Sequence, residues 1–239
     1  MTEKKNSKFL AALFASAMMF VQPAQANDIT VNDEASLNSA LENSTYTRIF
    51  FENEIDVTSP AGLPLWSGKT LIGGQNGGMN ILNLGNNMSY FLWDAENYFN
   101  LEYIKFKNAN FTIDQPMTVT SLNCEYDGSG NTQDSSLFTI SGSMASFTSN
   151  GKNTFSNFVK AKNGGVFNIG GSQYADNNEL HLNADTFNDN ASSEKGGAIA
   201  YMGYENVTSD HNILEVAETS FNKNKSADGG AIYSQYAYE

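Results

Sequence analysis

Two glycines followed by an apolar pair recur along the second half of this chain at nearly constant spacing. Gly164-Gly165-Val166-Phe167, Gly196-Gly197-Ala198-Ile199 and Gly229-Gly230-Ala231-Ile232 begin 32 and 33 residues apart. Upstream of each lies a run ending in a phenylalanine, and Phe155, Phe187 and Phe221 keep step at intervals of 32 and 34. Asn190 and Asn224 each stand three residues beyond their phenylalanine. Two half-units in step over this length are the mark of a stacked array, in which each unit buries its apolar side against its neighbours.

The local period decides which array. Leu180 and Leu182 alternate with polar residues, and Leu214, Val216 and Phe221 follow Ile213 in the same manner. That is a period near two, interrupted by Gly, Asn, Asp and Ser clusters, and no unit holds ten residues at helical spacing. Helical repeats are excluded on this ground, and the expected fold is an all-β, right-handed parallel β-helix. Phe106 and Tyr126 extend the aromatic series toward the N-terminus as weaker copies, with spacings of 20 and 29 to the next member. A turn of three short strands and three corners needs about 20 residues, so corner loops are expected to lengthen toward the C-terminus.

Stacking gives each repeated residue a reason. The neighbouring turn lies about 4.8 Å away, so a corner residue close to it is best without a side chain, and glycine also permits positive φ. One phenylalanine per turn predicts a buried aromatic stack, and Asn190 with Asn224 predicts an amide ladder. Near the start, Leu37, Ala40 and Leu41 share one face of a short helix with Asn32 or Asp33 as its N-cap. Such a helix suits the first turn as a lid, because an open stack of strands invites unwanted pairing. After Ile232 the sequence offers no second lid. The expectation is an uncapped C-terminal end, covered by further chain, by a partner or by end-to-end self-association.

The division expected along the chain is a signal peptide over 1–26, a cap over 27–45, irregular turns over 46–153 and repeat-bearing turns over 154–239. Lys4, Lys5 and Lys8 precede an apolar run from Phe9 to Val21, and Ala24-Gln25-Ala26 gives the small-x-small cleavage pattern. That run is too short for a permanent membrane helix, and no other long apolar segment follows. Without the leader, 10 basic and 25 acidic side chains remain, a net of −15. Such a surface repels phosphate backbones, which excludes nucleic acid as a partner. Cys124 is the one cysteine, so an exported chain of this kind holds together through its core and not through internal disulfides.

The pairing of Phe-x-x-Asn (Phe187 to Asn190, Phe221 to Asn224) with Gly-Gly-Ala-Ile (Gly196 to Ile199, Gly229 to Ile232) resembles the repeats of the chlamydial polymorphic outer membrane proteins. A third, degenerate unit carries Phe155, Gly164 and Gly165 but has Phe158 where the asparagine belongs. The resemblance covers residues 154 to 234. It implies the β-helical passenger of an autotransporter, displayed at the outer-membrane surface and acting as an adhesin. Those proteins end in a barrel with a terminal aromatic residue, whereas this sequence ends at Glu239.

Candidate chemistry is sparse. The rival reading is a polysaccharide-binding or polysaccharide-cleaving β-helix similar to pectate lyases. Arg48, the one arginine, stands beside the lid, and no Asp-Asp pair occurs, so no catalytic residue is assigned. His181 alternates with leucines and is expected to face solvent. One cysteine and two histidines give no zinc pattern. Asp127 to Asp134 holds oxygen ligands near a glycine but lacks the spacing of a calcium loop. Gly73 to Gly78 lacks the lysine of a phosphate-binding loop and reads as a corner. No metal and no cofactor are called for. Tyr90, Phe91, Trp93, Tyr98 and Phe99, like Tyr233, Tyr236 and Tyr238, are expected to fill wide turns or cover an end, with sugar or protein binding as the alternative. The expected function is surface display of loops to a host or cell-surface protein or glycan. Ser192, Glu194, Lys195, Lys225 and Asp228 are the candidate contacts.

Overall fold

The computed structural model describes residues 27–74, 78–94, 96–170, 177–203 and 212–235. Short period-two segments form strands that close into three parallel sheets of eight, seven and seven members. The chain visits the sheets in strict rotation. Thr118–Leu122 lies in the first sheet, Glu125–Asp127 in the second and Phe138–Ile140 in the third, and Ser146–Ser149 then returns to the first one turn further on. Every pairing is parallel and in register, and seven such turns stack into a β-helix of roughly 30 Å at one strand spacing per turn.

First-sheet strands begin at Arg48, Lys69, Tyr98, Thr118, Ser146, Glu179 and Ile213. The turns therefore span 21, 29, 20, 28, 33 and 34 residues. Lengthening toward the C-terminus holds from Tyr98 onward, while the turn from Lys69 is long on its own account.

Period-two alternation sends one side chain in three columns to the interior. In the second sheet, Phe106, Tyr126, Phe155, Phe187 and Phe221 are direct register partners. Their rings stack at centroid distances of 4.9, 4.9, 4.6 and 4.8 Å and within 17° of parallel. A second column, which the repeat spacing does not announce, runs through the third sheet. Phe111, Phe138 and Phe167 stack at 5.1 and 5.2 Å, and Ile199 and Ile232 continue their register. Phe99, Val119, Phe147, Leu180 and Leu214 form the third column, in the first sheet. Edge contacts such as Phe147 against Phe167, at 4.8 Å, tie the columns together.

The single helix among the described residues, α1 (Glu34–Glu42), covers the first turn with Leu37, Ala40 and Leu41 buried. Asp33 is its N-cap and forms a capping box with Ser36. Glu34 pins the lid, its carboxylate accepting from Thr58 N, Thr58 Oγ1 and Ser59 N at 2.7–2.9 Å. The covering segment is more than a helix, because Asp28–Val31 pairs with Arg48–Phe51 as an extra strand of the first sheet. At the far end, Ile213–Ala217, Ser220–Asn222 and Ile232–Gln235 have no further strand beside them among the described residues.

Candidate functional site

Much of the added length of the late turns lies in the connection from the second sheet to the third, and the rest falls mainly between the third sheet and the first. Residues 157–166, 189–198 and 223–231 form three such loops, and they stack on one another as regularly as the strands do. Ala191 bridges Lys225, and Asn163, Lys195 and Asp228 form a run of parallel bridges. Ser192 N donates to Lys225 O, Glu194 N to Lys162 O and Asp228 N to Glu194 O, at 2.8–3.0 Å. The result is a ridge along one corner of the solenoid. Its positions are set by backbone pairing with the turns on either side.

The repeat motif brackets this ridge. At the entrance, Asn190 Nδ2 donates to Phe155 O and to Asn224 Oδ1, both at 3.0 Å, and Asn190 Oδ1 accepts from Phe158 N at 3.1 Å. Asn224 Nδ2 donates to Phe187 O at 3.0 Å. Each amide thus satisfies backbone groups that the sharp turn leaves unpaired. At the exit, the two glycines answer to different constraints. Gly164, Gly196 and Gly229 have φ of +51°, +58° and +83°, and a Cβ on any of them would run into the carbonyl of its own turn, at Phe167, Ile199 or Ile232. Gly165 and Gly197 instead face the next turn, where a Cβ would strike Gly197 O or Gly230 O. Clash between turns therefore explains Gly165 and Gly197, and backbone hand the first glycine of each pair; Gly230, with φ of +57° and open space beside it, answers to backbone hand as well.

The candidate contact residues divide on this ridge. Glu194 and Asp228 are exposed, and Glu194 meets Lys162 at 3.1 Å. Lys195 is half-buried with its ammonium 4.6 Å over the Tyr233 ring, and Lys225 is exposed. Ser192 presents nothing to a partner: it is 8% exposed and its hydroxyl donates to Lys195 O at 2.9 Å.

Other residues singled out in the sequence have plainer roles. Arg48 pairs with Asp28 at 3.3 Å and lies over the Phe50 ring. Cys124 is buried, and burial pushes its thiol up to about 11. Asp127 Oδ1 accepts from Ser129 N and from Asn157 Nδ2, both at 3.0 Å, so that oxygen serves the corner. Gly73 packs against Tyr103 O of the next turn, while the rest of the Gly73 to Gly78 stretch includes residues outside the described ones, as do His211, Tyr236 and Tyr238. His181 faces outward but is not simply solvated. Its Nδ1 lies 2.9 Å from Glu215 Oε2 and its Nε2 3.1 Å from Glu179 Oε2. Burial pulls its pKa down, but the hydrogen bonds to Glu215 and Glu179 outweigh this and leave it above the ordinary value. The aromatics split: Phe91 and Phe99 are fully buried, whereas Trp93 is 53% and Tyr90 45% exposed. The expectation that all of them fill turns fails for the latter two: Tyr90 takes an outward place in the alternation of Met88–Leu92, and Trp93 stands just past the end of that strand.

Two features carry no sequence signature. The first is an interior polar column. Asn153 N and Nδ2 and Ser149 Oγ all donate to Asp185 Oδ1, at 2.8–3.0 Å, and Asn153 Oδ1 accepts from Ser121 Oγ and Cys124 N. Asp185 Oδ2 is buried without a partner, and burial pushes the carboxyl pKa up despite these hydrogen bonds. The second is a cleft of about 850 Å³ between the loop after α1 and the outer face of the first turns.

Residues 218–235 match the family model of the Chlamydia polymorphic membrane protein repeat. The match takes in a second-sheet strand, Asn224 of the ladder, a ridge loop and the third-sheet strand after Gly229-Gly230. No curated protein and no solved structure matches the chain.

Proposed function

We propose, for a chain that carries a polymorphic membrane protein repeat, that it is a displayed passenger which binds a neighbouring cell or host surface through the corner ridge, without catalysis. The family model speaks for the outer-membrane surface. No helix among the described residues is long and apolar enough to cross a membrane. The observation that carries the binding reading is the ridge itself. Charged side chains of Lys162, Glu194 and Asp228 are held at fixed spacing by paired backbone, which removes the ordering cost that flexible loops pay on binding.

The test is retention of the full chain on cultured cells or extracted surface proteins, with Glu194→Ala, Asp228→Ala and Lys225→Ala combined in one variant. These side chains lie on the ridge exterior or rim, so the fold should hold by circular dichroism. Retention lost with the fold intact supports the ridge. Retention unchanged means that the ridge is a spacer, and the reading fails.

A further inference from the structure

The cleft of about 850 Å³ lies apart from the ridge, at the lid end of the solenoid, and its size is that of small-molecule sites. Its walls come from three places. The segment after α1 forms one side, the corner around Gly68 another, and Asp94, Glu96 and Tyr98 the third. Lys69 holds the first wall in position: its ammonium donates to Asn43 O and Tyr46 O at 2.9 and 2.8 Å, directing its charge into the protein. Tyr98 is fixed by its hydroxyl, which donates to Gly68 O at 3.4 Å. Across the floor, Asn100 Nδ2 donates to Thr70 Oγ1, and Asn100 Oδ1 accepts from Thr120 Oγ1. The cleft is therefore built and held open by bonds that do not involve a ligand.

What faces the opening is chemically mixed. Trp66 is 36% exposed and its indole N–H donates to no group among the described residues. The carboxylates of Glu42, Asp94 and Glu96 line the same space and accept no hydrogen bond there. Arg48, the other cation of the lining, is engaged by Asp28 at 3.3 Å. An apolar ligand would strip water from three carboxylates without return. A phosphate, sulfate or uronate would meet those carboxylates with both cations already engaged. A ligand with one flat C–H face and a rim of hydroxyls satisfies both halves: the face lies on the indole, and the hydroxyls donate to the carboxylates in charge-assisted bonds.

We infer that this cleft binds a short uncharged glycan, with Trp66 as its stacking platform and Glu42, Asp94 and Glu96 as hydroxyl acceptors. This is independent of the ridge, since no residue is shared between them.

Trp66 and Trp93 are the two tryptophans of the chain, so a full chain carrying Trp93→Phe reports on Trp66 alone by fluorescence. Titration with cellotriose, maltotriose and the N-acetylglucosamine trisaccharide is expected to give a saturable change with at least one of them, and none with trigalacturonate. Calorimetry with the responding sugar should then show binding weakened at least tenfold by Trp66→Ala and unchanged by Tyr90→Ala, an exposed aromatic outside the cleft. No saturable change with any neutral trisaccharide overturns the inference. So does an equal response to trigalacturonate, or binding that survives Trp66→Ala.

Discussion

A phenylalanine in the second-sheet column touches a ring above and a ring below, so its loss opens the core of two turn interfaces at once. Phe187 is fully buried between Phe155 and Phe221. Phe187→Ala should cost about 3–5 kcal/mol in denaturant unfolding, and Phe187→Leu markedly less; similar small losses for both would show that the column is not packed as described. Asp185 makes the opposite case. Its raised carboxyl pKa means that folding favours the protonated form, so stability falls as pH rises from the ordinary carboxylate range through the folded value. In the preceding turn the equivalent place is held by Asn153, whose Nδ2 reaches Ser121 O at 3.2 Å. Asp185→Asn should therefore stabilise the protein at pH 7 by on the order of 1 kcal/mol and remove the loss of stability that sets in above the ordinary carboxylate range. A destabilised variant would mean that the charge is needed where it stands.

Among elements, the corners carry the specificity that the strands lack. Strands of two to five residues hold little information individually, and what aligns them is the set of buried amides and left-handed residues between them. Tyr103, Asn123, Ala184 and Glu218 all take positive φ at the same corner, from the first sheet to the second. Asn190 supports three partners at once, and Asn190→Ala should cost about 2–3 kcal/mol in thermal or denaturant melts, more than Asn188→Ala on the outer face. Equal costs would remove the ladder's role. The outer histidine gives an element-scale pH effect. His181 has a raised folded pKa, so its stabilising contact with Glu179 and Glu215 is complete below about pH 6.5 and fades as pH rises through the folded value. A His181→Gln chain should lose the part of the stability slope above the ordinary imidazole value that His181 supplies; an unchanged slope would show that the contact contributes nothing.

The same elements show what sequence makes legible. The phenylalanine column and the Asn190–Asn224 ladder were visible because residue type and spacing repeat together over three turns. The Phe111–Phe138–Phe167 column was not, because register persists there while the residue changes to Ile199 and Ile232. Tyr90 was misjudged by residue type. Ser89 takes the inward place because the preceding turn comes close at Gly62, where a Cβ would meet Met88 O and Ser89 Oγ, so the tyrosine beside it must face out. The stacking of the ridge loops had no signature at all, since backbone pairing between loops leaves side chains free to vary. The cleft was equally hidden, being assembled from segments that are distant in sequence and share no motif.

For the whole molecule, the central claim is that seven turns advance along one axis at one strand spacing each, which is what sets both the ridge and the cleft at opposite regions of a rigid rod. Asp56, Asn83, Lys107, Asp127, Ser156, Asn188 and Asn222 are successive register partners on the outside of the second sheet. Spin labels on cysteines introduced at Asp56 and Ser156, and in a second chain at Asp56 and Asn222, can be measured by dipolar spectroscopy. Cys124 is buried and will not take up label. Four and six strand spacings predict separations of about 19 and 29 Å along the axis, an increment of about 10 Å for two turns despite 66 further residues of chain between the labels. An increment far from that value, or one that follows chain length instead of turn number, would contradict the stacked-turn account on which every functional statement here depends.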